Sequence, residues 1–69
     1  MTATDLAGRW LASREDYRIA DGWYIDVKAD PVLAERLQEE CELLWSLLVA
    51  ACDGVESNAH AVVNRLLLG

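Results

Sequence analysis

Between Asp30 and Gly54 the apolar positions recur at steps of four and three: Leu33, Leu37, Cys41, Leu44, Leu48 and Cys52. That period gathers them on one side of an α-helix. Both ends of the predicted helix are marked. Asp30 can cap the first turn with its carboxylate, Pro31 suits the first helical position, and Gly54 can take the left-handed conformation that closes a helix. Glu35, Glu39 and Glu42 form a second row on roughly the opposite side. From Leu43 to Cys52 only Ser46 is polar, so the C-terminal half is apolar around nearly its whole circumference, the mark of a helix covered on all sides. Trp45 and Val49 lie off the main stripe. With Leu48 they are the expected self-association surface, the alternative being that the first helix covers them.

The N-terminal half reads as two shorter elements. Thr4 to Ser13 suggests a short helix, with Thr4 or Thr2 as cap and Asp5 in its first turn, weakened at Gly8 by up to ~1 kcal/mol. From Asp16 to Lys28 polar and apolar residues alternate on either side of Asp21-Gly22, which predicts a β-hairpin. A loop of Ala20, Asp21 and Gly22 pairs Ile19 with Trp23 and Tyr17 with Ile25, restoring one apolar face and giving Gly22 the left-handed position. After the long helix, Val55, Ala59, Val62, Val63, Leu66 and Leu67 share a face of a C-terminal helix, capped by Asp53 or Ser57. The short connection predicts an αα-hairpin with the helix before it. The expected fold is therefore a single α+β domain over residues 1–69: short N-terminal helix, β-hairpin, long central helix, C-terminal helix.

Composition sharpens one point. At 69 residues the core is small, yet 54% of the residues are hydrophobic and three are Trp, more apolar surface than so small a body can hide. A homodimer, a larger assembly or a protein partner is the expected outlet. Twelve acidic against six basic residues give a net charge of −6, and the six basic positions are scattered. That argues against direct nucleic-acid binding and against an anionic membrane surface, and it favours a protein partner with a basic surface. The same charge also keeps a greasy small protein in solution. No apolar run approaches the roughly 20 residues of a membrane span, and Met1 to Ala12 lacks a basic start followed by an apolar run. Cys41 and Cys52 stand about 16 Å apart along the predicted helix, too far for a bridge, so two free thiols and a cytoplasmic setting (the host cytoplasm, for a phage-encoded chain) are expected.

Candidate chemistry adds little. His60 is the one histidine, on the polar side of the last helix, with no aligned nucleophile and no orienting third group. Cys41, Cys52 and His60 match no compact zinc spacing. The glycines are isolated, so no phosphate-binding loop is present. No enzyme activity, cofactor or metal is expected. The acidic row is different: Glu35 to Glu39 rises about 6 Å and Glu39 to Glu42 about 4.5 Å, close to the one charge per ~3.4 Å of a DNA strand. Arg36 can pair with Glu40, and Asp21, Asp26 and Asp30 can extend the negative surface. In build (short, acidic, without an active site) the chain is similar to small phage-encoded inhibitors of CRISPR and restriction enzymes. The resemblance implies a viral DNA mimic of the anti-CRISPR or anti-restriction kind, its row Glu35, Glu39 and Glu42 occupying a basic nucleic-acid-binding surface of its target. The competing expectation is a structural or adaptor protein that self-associates through Trp45, Leu48 and Val49.

Overall fold

The computed structural model describes all residues, Met1–Gly69, and consists of three helices: α1 (Ala3–Ala20), α2 (Pro31–Ala51) and α3 (Glu56–Leu68). It contains no strand, so the expected α+β architecture with a β-hairpin is replaced by an all-α one. The first run of the expected hairpin is instead the C-terminal part of an 18-residue helix. Alternation over four or five residues is compatible with a helical stripe when its members also fall three and four apart. Here Tyr17 belongs to an inward-facing row at that spacing, Ala3, Leu6, Trp10, Ser13, Tyr17 and Ala20, each of them buried or half-buried, while Ile19 falls outside it and is exposed. A lone strand from Trp23 onward then has nothing to pair with.

The turn signal was real, but it ends a helix. Gly22 has φ +78°. Its N–H donates to the carbonyl of Ile19 at 3.2 Å, and that of Trp23 to the carbonyl of Arg18 at 3.1 Å. These are the paired bonds of a Schellman motif, with glycine in its left-handed position. At the other end the Thr2 hydroxyl accepts from the Asp5 N–H at 3.1 Å, and the Asp5 carboxylate accepts from the Thr2 N–H at 3.4 Å, a reciprocal capping box. Helix α2 starts as expected, the Asp30 carboxylate accepting from the Leu33 N–H at 3.2 Å with Pro31 in the first position. It closes one residue early: Asp53 takes φ +59° and Gly54 φ +75°, with the Gly54 N–H reaching the Val49 carbonyl at 2.9 Å. Helix α3 has neither expected cap. Val55 precedes it and no side chain bonds its first turn.

Helix α1 is the hub. It packs along α2 and, less extensively, against α3, while α2 and α3 touch only slightly, so the expected αα-hairpin of the last two helices is not formed. The core consists of Leu6 and Ala7 from α1, Leu44 and Leu48 from α2, Cys52, and Ala59 and Val63 from α3. On α2 the inward row is the predicted one from Leu37 onward, but its first member is Ala34, with Leu33 left 43% exposed. Small residues where helices meet (Ala7, Ala34, Ala59) allow close approach. They also leave the core thin: 10 of 69 residues are buried, and Leu48 is the one large side chain fully covered.

Candidate protein-binding face

Glu35, Glu39 and Glu42 all lie exposed on the outer side of α2, as the helical period requires, and their carboxylates form no salt bridge and no hydrogen bond. The other carboxylates are largely engaged. Asp5 and Asp30 cap helices, Glu15 pairs with Arg18 at 3.8 Å, Asp21 accepts from the Trp23 indole at 3.0 Å, and Glu56 lies 4.0 Å from His60. Glu40 does not pair with Arg36. It accepts the hydroxyl of buried Ser13 at 3.2 Å and so links α2 to α1. The row is thus a line of carboxylates with no internal use, facing water.

The residues expected to mediate self-association sit elsewhere. Leu48 is fully buried, and Trp45 and Val49 are half-buried against the core. The Trp45 ring lies 5.0 Å from that of Trp10 and 4.8 Å from that of His60, centroid to centroid, so side chains of all three helices meet there. The Arg14 guanidinium lies 5.2 Å over the outer face of Trp10. Within the chain Trp45 packs against Trp10 of α1 and remains half-exposed. The exposed apolar residues of the C-terminal half of α2 are Leu43, at 60%, and Leu47, at 46%.

Neither cysteine is bridged. Burial, helped by the carboxylate of Glu40, pushes the Cys41 thiol above its ordinary range, which disfavours the thiolate needed for attack or metal binding. No group of three or more His, Cys, Asp or Glu is placed to hold a metal ion, and no helix is long and apolar enough to cross a membrane.

What sequence reasoning missed is the segment between α1 and α2. Residues 21–30 are all exposed, including Trp23 at 64% and Ile25 at 102%. They form a compact loop whose ends are tied, the Asp30 N–H donating to the Ala20 carbonyl at 2.7 Å. Trp23 lies against the Arg18 guanidinium, 5.3 Å from its ring centre, and the Tyr24 hydroxyl donates to Glu15. That bond raises the Tyr24 hydroxyl above its ordinary range. The sequence carries the signal as a dense run of Trp23, Tyr24, Ile25 and Val27, but its alternation points Trp23, Ile25 and Val27 toward an inward hairpin face. Compared with protein families, curated proteins and solved structures, the chain matches none.

Proposed function

We propose that this is a non-enzymatic interaction protein that docks on a basic protein surface through Glu35, Glu39 and Glu42. In its more specific form it is an inhibitor that occupies a nucleic-acid-binding site. The supporting observation is the contrast among carboxylates: most of those elsewhere cap helices, pair or bind across the helix interface, while the three of the row have no partner within the molecule. Like charges a turn apart weaken a helix by a few tenths of a kcal/mol, a cost that a complementary cationic groove would reverse. Opposite potentials also speed encounter, which suits an inhibitor competing with nucleic acid.

The experiment is a DNA-cleavage assay on a panel of CRISPR nucleases and restriction endonucleases, with wild type and with Glu35→Gln/Glu39→Gln/Glu42→Gln. The expected result is inhibition by wild type that weakens as salt rises, and its loss in the triple variant with the helical circular dichroism unchanged. Equal inhibition by the two proteins refutes the role of the row. A panel left uninhibited by wild type refutes the inhibitor reading.

A further inference from the structure

Seven of the fourteen exposed large apolar side chains fall between residues 19 and 33: Ile19, Trp23, Tyr24, Ile25, Val27, Val32 and Leu33. They occupy the one end of the molecule where α1 stops, the loop turns and α2 begins. The loop is held by its cap bonds, the Asp30–Ala20 tie, the Trp23–Asp21 bond and the Tyr24–Glu15 bond, so these side chains are presented on a fixed frame. Ile25 is fully exposed. Beside the loop lies a groove of about 330 Å³ between Ile19, Val27, Leu33 and Leu37, with Asp16, Lys28 and Asp30 at its rim.

We propose that this end is a homodimer interface, two copies meeting about a two-fold axis with Ile25 and Trp23 of each seated against the Ile19/Val27/Leu33 groove of the other. Two observations select a second copy. A projecting apolar group and an apolar groove stand side by side on one face, which is the self-complementarity that an isologous contact requires. The seven residues together expose on the order of 700 Å², near the roughly 800 Å² per partner of a stable complex. A lipid surface fits poorly, because Asp16, Asp21, Asp26 and Asp30 outnumber Arg18 and Lys28 around the patch. The inference is independent of the docking proposed for the acidic row.

Sedimentation equilibrium tests it on wild type, Ile25→Asp and Leu43→Asp, the last changing an exposed leucine outside the patch. Because Ile25 is fully exposed, its replacement leaves the fold intact, which circular dichroism verifies. The expected result is a wild-type dimer at micromolar concentration, association at least tenfold weaker in Ile25→Asp, and a Leu43→Asp dimer like wild type. Dimerisation should strengthen with salt, since each copy carries a charge of −6 and screening removes their repulsion. A wild-type monomer throughout the micromolar range overturns the proposal, as does a dimer that survives Ile25→Asp or is broken by Leu43→Asp instead.

Discussion

Alanine at three glycines gives three different answers from one chemical change. Gly8 lies inside α1, with open space where a Cβ would stand. Alanine there gains up to ~1 kcal/mol of helix propensity. Gly54 has φ +75° and equally open surroundings. An L-residue in that conformation costs roughly 1–2 kcal/mol, offset by about 0.4–1 kcal/mol because the unfolded chain also loses freedom, leaving a destabilisation of at most about 1.6 kcal/mol. Gly22 combines φ +78° with a neighbour: a new Cβ meets that of Ala29 at 3.0 Å, so the tied loop must shift by a few tenths of an ångström. Gly22→Ala should therefore cost more than Gly54→Ala, about 1–2 kcal/mol in all, and Gly22→Val more again. At about 4–8 °C per kcal/mol for a domain of this size, thermal unfolding followed by far-UV circular dichroism resolves all three. Protein concentration must be the same throughout, because association shifts the midpoint. A Gly22→Ala midpoint at or above wild type refutes the Schellman closure. A clearly lower midpoint for Gly8→Ala refutes a continuous α1.

Leu48→Ala removes the one large side chain that is fully covered, at a cost of about 2–5 kcal/mol. Because a core this size rarely supplies more than about 3–5 kcal/mol, the variant should be largely unfolded by circular dichroism at 25 °C, and a cooperative transition near the wild-type midpoint counts against the packing described. Alkaline pH should also destabilise. Burial raises the Cys41 thiol above its ordinary 9.0, and the bond to Glu15 raises the Tyr24 hydroxyl above its ordinary 10.0. The folded state then holds both protons more tightly than the unfolded state, so this stability is whole below pH 9 and lost as pH rises through the raised values. Urea midpoints should be level from neutral pH to 8.5, fall above pH 9, and fall less steeply in Cys41→Ala/Tyr24→Phe; a midpoint rising with pH there contradicts the sign.

Helix α2 was legible because each local cue agreed with the next: the Asp30 cap, Pro31 and a stripe of fixed period. The exposed positions of Glu35, Glu39 and Glu42 follow from that same period. The full length of α1 is hard to see in the sequence because its inward row mixes large with small residues. Ser13 and Ala20 do not stand out in a hydrophobicity pattern, while Tyr17 and Ile19 on two sides of a helix imitate one side of a strand. Gly22 was correctly given a left-handed conformation, but hairpin loops and helix stops share that requirement, and only the partner of each N–H separates them. The surroundings of Trp45 depend on how three helices cross, which no spacing within one helix encodes. The Ser13–Glu40 bond is hidden for the same reason.

The bond from the Asp30 N–H to the Ala20 carbonyl makes residues 21–29 a closed tab on the bundle. Its two ends meet whatever lies between them, so the length and content of the tab are decoupled from the register of α1 against α2. Substitutions, insertions or a grafted recognition sequence can accumulate there without passing through the core, provided Gly22 and the two tied residues are kept. A fold with so little interior to spare can in this way change what it recognises while leaving what holds it together untouched.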